Sequence, residues 1–230
     1  MISRTFIPTV ILGLALSSTA FAAPPTKTAT VAAAGKPAGP SPGPWLHETV
    51  ERAKKLAERK VAPGTPAETT WQKEVKDAID DVVDWPEMTQ KALGKGWEER
   101  TPKEREEFSK LLRTMVEASY QSKLKLVTTD QGKTANKVTL TWDKEVMTGN
   151  TGTARATVKE GKASYTLDFA LKHDGKRWRV WDVSIDEVST VRTYRTSFTK
   201  IIADKGFPAL IDRMKKKVDE VKNGKGVITP

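Results

Sequence analysis

Apolar residues follow two different periods along the chain, and the order of these periods predicts the architecture. Up to about residue 124 they recur every three or four positions, which is typical of amphipathic helices. From about residue 138 to residue 171 they alternate with polar residues, which is typical of half-buried strands. The helical period returns at residue 188. Helices, then strands, then helices predict an α+β fold in which helices from both ends of the chain wrap a curved antiparallel sheet.

The first part of the chain is predicted to hold four helices. The first two cover residues 45 to 64 and 68 to 83, and a short third helix covers residues 84 to 94. The fourth begins at the clearest local signal in the chain, in which a capping Thr101 is followed by a Pro and then by Glu104. This arrangement is a capping box, and the long helix that it opens is predicted to end near residue 124.

The middle of the chain is predicted to form about four strands. Turn residues cluster at 149–152, 160–161 and 173–175, and such short links favour an antiparallel meander. The last strand, at residues 178–185, is apolar on both faces, which predicts either a bulge or cover on both sides. It leads directly into two helices, with Gly206 closing the first and the second covering residues 208 to 221.

The N-terminal residues have the composition of an exported protein. Residues 1–22 are expected to be a cleavable signal peptide, with Arg4 in a basic region, an apolar run at 6–16 and small residues at Ala20 and Ala22. We expect residues 23–44 to be a disordered Ala/Pro/Gly linker, residues 45–222 a single domain and residues 223–230 a flexible tail. The protein is therefore expected in the periplasm. Because the chain has no Cys, it cannot form disulfides or carry a lipoprotein anchor.

The balance of charge bears on the partners of the protein. The formal charge is +10, and it becomes +9 once the predicted signal peptide takes away Arg4 and no acid. A basic protein favours anionic partners such as phosphate head groups, and export argues against nucleic acid.

Few residues could support catalysis. The two His residues, His47 and His173, fall near the start of the domain and in a predicted turn, and metal-ligand clusters and a phosphate-binding loop are absent from the sequence. Asp80 and Asp81 are explained by a helix end. No cofactor or metal is predicted.

Five motifs in the same order resemble one family. They are D-W-P-E-M-T-Q-K-A-L-G-K-G-W (84–97), T-P-K-E-R-E-E-F-S-K-L-L (101–112), W-R-V-W-D-V-S-I-D-E-V-S (178–189), T-Y-R-T-S-F (193–198) and I-I-A-D-K-G-F-P-A-L-I (201–211). They resemble the MlaC-type, or toluene-tolerance, family of periplasmic carriers in the Mla phospholipid-transport pathway. The resemblance spans roughly residues 71–214, and Glu187 stands where the family usually has Gly.

The resemblance implies a lipid pocket between the curved sheet and the helices. It also implies that the protein shuttles phospholipid between an inner-membrane ABC transporter complex and an outer-membrane lipoprotein/porin complex. No bond chemistry is implied. A hydrolase or isomerase on a cone-shaped α+β fold, or a non-enzymatic periplasmic adaptor with a packed core, remains an alternative, because periodicity does not distinguish a hollow pocket from a filled core.

The sequence supplies large apolar residues for the walls of such a pocket on the long helix, the sheet and the C-terminal helix. The predicted lipid-binding residues are Leu112, Met115, Val116, Leu140, Trp142, Leu167, Phe169, Val180, Val191, Tyr194 and Phe198. An anionic head group would stay at the mouth of the pocket and would need donors there. Arg195 and Lys200 are predicted to supply them.

Overall fold

The computed structural model describes residues 41–129 and 138–222 of the chain. The predicted signal peptide, residues 23–40 of the predicted linker and the predicted C-terminal tail lie outside the described residues. In this part of the chain, four α-helices precede five strands and a fifth α-helix follows them. The helices are α1 Gly43–Glu58, α2 Pro66–Val82, α3 Trp85–Leu93, α4 Pro102–Thr129 and α5 Thr190–Lys222. The strands are β1 Val138–Thr148, β2 Thr151–Glu160, β3 Ala163–His173, β4 Trp178–Ile185 and β5 Val188–Ser189.

The α+β architecture predicted from the two periods is confirmed, with some differences at element ends. Helix α1 begins at Gly43, inside the stretch predicted as linker, and ends at Glu58, several residues earlier than predicted. The capping box is present, because Thr101 N–H donates to Glu104 Oε2 at 2.8 Å and Glu104 N–H donates to Thr101 Oγ1 at 3.3 Å. Two orphan N–H groups at the start of α4 are thereby satisfied.

All neighbouring strands pair antiparallel in the order β1-β2-β3-β4-β5, so the chain forms a meander with β1 at one edge. The sheet has the four strands predicted and a fifth of two residues. Strand β1 carries a register shift between Trp142 and Lys144. In β4 the register shifts as well, since Asp182 pairs with Ala170 while Val180 pairs with Leu171, which leaves Trp181 as the extra residue.

The bulge at Trp181 explains the double-sided apolar character of β4. Trp178 and Val180, which precede the bulge, pack with residues of α1 and β3 on one face of the sheet. Trp181 packs against the helices on the opposite face. The two predicted explanations, a bulge and a cover on both sides, therefore both apply to this strand.

Two backbone features shape the passage from the sheet to the C-terminal helix. Asp186 and Glu187 join β4 to β5, and both have positive φ, +44° and +68°. Positive φ at two successive central residues is the conformation of a type I′ hairpin turn. Further on, Gly206 interrupts α5 with φ +82° and ψ 168°, so α5 is two helices separated by a kink, as predicted.

Buried apolar residues form three groups. The helix cluster joins α3, α4 and α5 and contains Met88, Ala92, Leu93, Phe108, Leu112, Met115, Val116, Val191, Tyr194, Phe198, Phe207, Leu210, Ile211, Met214 and Val218. The sheet cluster joins α1 to the inner face of the sheet and contains Leu46, Val50, Ala154, Val158, Leu167, Phe169, Leu171, Trp178 and Val180. A small third cluster holds α1 against α2 through Leu56, Trp71 and Val75.

Candidate functional site

The inner face of the sheet is the side that α1 partly covers. Because side chains alternate along a strand, each strand contributes every second residue to this face. Strand β2 places two small residues, Ala154 and Ala156, at its centre. The rings of Trp142 on β1 and Phe169 on β3 approach each other over these alanines, with centroids 5.7 Å apart. The small side chains thus leave room above β2 that two aromatic rings occupy.

Helix α1 lies over one part of this face. Leu46 and Val50 are buried in the sheet cluster, and the imidazole of His47 packs on Trp142 with ring centroids 4.5 Å apart. At the rim, Ser41 Oγ donates to Glu145 of β1, and a Cβ on Gly43 would lie 2.0 Å from that carboxylate. Because this carboxylate is the end of a flexible side chain, a Cβ at Gly43 would displace it without preventing the approach of α1 to the edge strand.

The cover over the inner face is incomplete. Eight apolar side chains that pack against the sheet cluster are only partly buried, and six of them belong to the sheet itself. They lie on β1, β3 and β4 and are Leu140, Trp142, Met147, Tyr165, Val183 and Ile185. A sheet face with partly exposed apolar side chains is a surface that can receive an apolar ligand.

The helix cluster also has partly buried apolar neighbours, among them Trp85, Trp97, Leu111, Trp181, Ile201 and Ile202. Phe198 contacts Phe108 edge-on with ring centroids 5.5 Å apart and stacks on Tyr194 with centroids 5.4 Å apart. Phe108 is fully buried and Met115 is 4% exposed. The aromatic centre of this cluster is therefore well buried among the described residues.

The predicted lipid-binding residues consequently divide into two sets. The structure brings together Leu140, Trp142, Leu167, Phe169 and Val180 in or against the sheet cluster. It brings together Leu112, Met115, Val116, Val191, Tyr194 and Phe198 in the helix cluster. The two sets do not form one contiguous cluster of buried residues, so a single wall made of all eleven residues is not observed among them.

Both predicted head-group residues are exposed on α5. Arg195 has a structural contact, because its Nε donates to the carbonyl oxygen of Lys91 at 2.7 Å, in the last turn of α3. A cation at a helix C-terminus satisfies an orphan carbonyl and is favoured by the helix dipole. The role of Arg195 and Lys200 toward a head group stays a prediction.

Sequence reasoning missed several residues of the inner face. Met147, Tyr165, Val183 and Ile185 were assigned to strands or turns but not to the site, and Leu46 was seen only as part of a helix. The alternation of β3 could have placed Tyr165 beside Leu167, whereas Val183 joins Val180 on this face only because of the bulge at Trp181. The contact of α1 with the sheet had no such signal, because nearly a hundred residues separate the two partners.

Acidic residues near the site act as structural partners. Burial raises the pKa of Asp80, but hydrogen bonds from Lys76 and Trp85 and the charge of Arg113 outweigh it, so the net pKa is lowered. Hydrogen bonds from Arg177 and Arg52 lower the pKa of Asp81. Both carboxylates are therefore ionised ion-pair partners rather than a pair that shares a proton.

Asp182 is the buried acid of β4 and it caps helix α5. Its Oδ1 accepts from Val191 N–H at 3.0 Å and its other oxygen accepts from Ser189 Oγ, which in turn accepts from Arg192 N–H at 2.9 Å. Burial raises the pKa of Asp182 despite these hydrogen bonds. Asp182 and Ser189 thus each accept a hydrogen bond from a main-chain N–H in the first turn of α5, and together they cap this helix.

One surface depression among the described residues has a polar lining. A shallow depression of about 550 Å³ is lined by Asp84, Asn150, Lys172, His173, Asp174 and Gly175. The ammonium group of Lys172 pairs with Glu87. Such a lining suits water better than acyl chains.

Neither metals nor membrane spans account for the arrangement. Within residues 41–129 and 138–222, no group of three or more metal-ligating side chains comes together. Among the helices in this part of the chain, none combines the length and the apolar character that a bilayer span requires.

Fold and site together define an α+β protein whose antiparallel sheet presents an apolar, incompletely covered inner face. The model of the family described as MlaC protein matches residues 49–216, so the chain belongs to the MlaC family. The family predicted from the five motifs is thereby confirmed.

A solved structure has a similar fold. It is a phospholipid-binding protein from Ralstonia solanacearum in complex with a phospholipid, with a TM-score of 0.60 and 18% sequence identity to this chain. The similarity covers 77% of this chain and 96% of that chain. The search of curated proteins gives no match.

Proposed function

We propose that this protein binds phospholipid on the inner face of its sheet and carries it, without bond chemistry, between membrane complexes in the periplasm. The observation that carries the proposal is the set of large apolar side chains that remain partly exposed on that face, in a chain of the MlaC family. The similar protein from Ralstonia solanacearum, which holds a phospholipid, supports the same ligand class.

The ligand class follows from the size of the free-energy term. A phospholipid with two acyl chains has roughly thirty methylene groups, and removing each from water is worth about 0.8 kcal/mol. A carrier must therefore supply about 20–25 kcal/mol of hydrophobic contacts to hold the chains outside a membrane. Hydrogen bonds to a head group do not reach this sum. An extended apolar face is therefore the feature that a carrier needs, and catalysis by a hydrolase or isomerase would need a polar pair on the same face.

The test is native mass spectrometry of the protein purified from a periplasmic extract without detergent. We expect an additional mass of phospholipid size that disappears after extraction with organic solvent and returns when diacyl phospholipid is added back. A protein that carries no such mass and takes up none would contradict the proposal and would favour an adaptor with a packed core.

The proposed partners are an inner-membrane ABC transporter complex, which would supply the energy, and an outer-membrane lipoprotein/porin complex. We propose that Arg195 and Lys200 act at the mouth of the pocket. A variant of Arg195 would mix two effects, because Arg195→Glu changes the charge and also removes the hydrogen bond to Lys91 O. Lys200 is exposed on the same helix five residues further on, so its variant tests the charge with less change to the structure.

We expect Lys200→Glu to slow transfer to anionic vesicles at low salt without a loss of thermal stability. The defect should shrink at physiological ionic strength, where exposed charges are screened beyond about 8 Å. Transfer by Lys200→Glu that equals wild-type transfer at low salt would contradict the assignment of Lys200.

A further inference from the structure

Glu145 is a charged residue on the apolar face of the sheet. It pairs with Ala154 across β1 and β2, and residues that pair across two strands project from the same face. Ala154 is buried in the sheet cluster, so Glu145 lies on the same side. Its neighbours along this face of β1 are Trp142 and Met147, which are both partly buried against the sheet cluster. A carboxylate therefore stands between two apolar side chains of the proposed lipid-binding face.

The register shift in β1 decides which charge stands at this place. Without the shift, the alternation that continues from Trp142 would put Lys144 on the apolar face. With the shift, Lys144 pairs with Arg155 on the other face of the sheet, and Glu145 takes the place on the apolar face. The same shift leaves Val146 on the other face, where it is 47% exposed. The bulge thus puts an anion rather than a cation beside the ligand surface, at the cost of an exposed Val.

The carboxylate of Glu145 has no cationic partner within residues 41–129 and 138–222. One of its oxygens, Oε2, accepts a hydrogen bond from Ser41 Oγ at 2.5 Å, and no Lys or Arg of these residues forms an ion pair with it. The side chain of Glu145 is exposed, so its end can turn toward a ligand that lies on Trp142 and Met147. The position suits a cationic group of such a ligand.

We propose that Glu145 pairs with the ammonium group of a zwitterionic head group, so that the protein prefers phosphatidylethanolamine to phosphatidylglycerol. This inference rests on the proposed function and deepens it by naming the class of head group. Both lipids have an anionic phosphate, which a carboxylate repels. An ethanolamine head group also carries a cation, which the carboxylate attracts, whereas a glycerol head group has no cation. The acyl chains supply most of the affinity, and Glu145 supplies the choice between head groups.

The preference is measured by competition. Delipidated protein is mixed at low ionic strength with equal amounts of phosphatidylethanolamine and phosphatidylglycerol that have identical acyl chains, and native mass spectrometry gives the ratio of the two complexes. We expect wild type to favour the ethanolamine lipid about 3- to 5-fold, which is the range of an exposed ion pair. Glu145→Gln should lose this preference, because it keeps an acceptor for Ser41 and removes the charge.

Asp143→Asn is the matched control, because it removes the same charge from the same bulge on the opposite face. Asp143 Oδ2 accepts from Thr157 Oγ1 at 2.7 Å, and Thr157 alternates with the buried residues of β2. Asp143→Asn should keep the preference of wild type. Ser41→Ala is a second control, because it removes the contact of Glu145 with the start of α1 and leaves the carboxylate in place. It should also keep the preference.

Several results would overturn the inference while lipid binding stands. Equal binding of the two lipids by wild type is one, and a preference that survives in Glu145→Gln is another. Loss of the preference in Asp143→Asn or in Ser41→Ala would also overturn it, since the net charge or the contact with α1 would then explain the effect. Failure of wild type to bind either lipid would instead overturn the proposed function, and this inference with it.

Discussion

Glu187 adopts a backbone conformation that is unfavourable for residues other than Gly. Its φ is +68°, in the turn between β4 and β5, and the left-handed region costs a residue with a Cβ about 1–2 kcal/mol. Its side chain is exposed, and Arg192 Nη2 donates to its main-chain carbonyl oxygen, which any residue offers. Within the described residues, the Glu187 carboxylate interacts with the charge of Arg155 at the surface, and such an exposed attraction offsets little of the strain.

We expect Glu187→Gly to raise the free energy of unfolding by about 0.5–1 kcal/mol, because relief of the left-handed strain exceeds the added entropy of Gly in the unfolded chain. Urea unfolding measures the change. Asp186→Gly is the control, since Asp186 Oδ1 accepts from Thr166 N–H at 2.8 Å and would lose that bond. A destabilised Glu187→Gly would contradict the assignment of strain.

Leu140 and Met115 give opposite expectations for the same enlargement. Leu140 is partly exposed on the inner face, so a Trp there should occupy the space of the ligand and lower the lipid content with little loss of stability. Met115 is buried in the helix cluster, so Met115→Trp should cost about 1–3 kcal/mol by overpacking. Lipid content by native mass spectrometry and the thermal midpoint decide. An equal fall in midpoint for both variants, with lipid retained, would count against a pocket at Leu140.

At the scale of an element, the start of α5 depends on a carboxylate whose protonation changes with pH. Burial raises the pKa of Asp182 in the folded protein above its unfolded value of 3.8. The folded state therefore binds more protons than the unfolded state as the pH falls toward 3.8, and this residue favours folding increasingly over that window. Above the folded pKa the protein bears the cost of a buried charge.

Asp182→Asn should remove this pH dependence, because Asn keeps an acceptor for Val191 N–H and has no charge to lose. We expect the stability of wild type relative to Asp182→Asn to increase as the pH is lowered from 7 to 4, measured by urea unfolding at each pH. The lowered pKa values of Asp80 and Asp81 make the folded state less stable in acid. This contribution is the same in both proteins and cancels when their stabilities are compared. Parallel pH profiles would refute the assignment.

Elements with local signals were predictable, and contacts between distant elements were not. The capping box at Thr101 and the kink at Gly206 are encoded within a few residues, and both were predicted. The broken alternation of β4 likewise indicated its bulge. In contrast, the hydrogen bond from Arg195 to Lys91 O joins residues 104 positions apart, and the period of α5 gives no information on what its exposed face meets.

At the scale of the whole molecule, the site was predictable as a list of apolar positions and not as a surface. Alternation predicted Trp142 and Phe169 as inward residues of their strands, and in the structure their rings lie 5.7 Å apart. Alternation could not separate the inner face of the sheet from the helix cluster of Met115 and Phe198, because periodicity reports which residues are inward and not which inward groups face each other. Partly buried apolar side chains border both groups, so exposure alone does not separate them either.

Export is expected to remove residues 1–22 and leave Ala23 as the first residue, since Ala20 and Ala22 are the small residues that a signal peptidase accepts. The intact mass and N-terminal sequence of the protein from a periplasmic extract test this. An Ala22→Tyr variant is the control and should accumulate with its N-terminus intact. A mature protein that retains Met1 would contradict the prediction.

The register shift in β1 bears on how the protein behaves when it is concentrated. An eleven-residue strand at the edge of a sheet could template pairing with another molecule, which is the usual start of aggregation. Here the strand is interrupted between Trp142 and Lys144, and the charged residues Asp143, Lys144 and Glu145 stand at the interruption. A bulge twists the edge and charges oppose a second strand, so the sheet is guarded against edge-to-edge growth while its apolar face stays available.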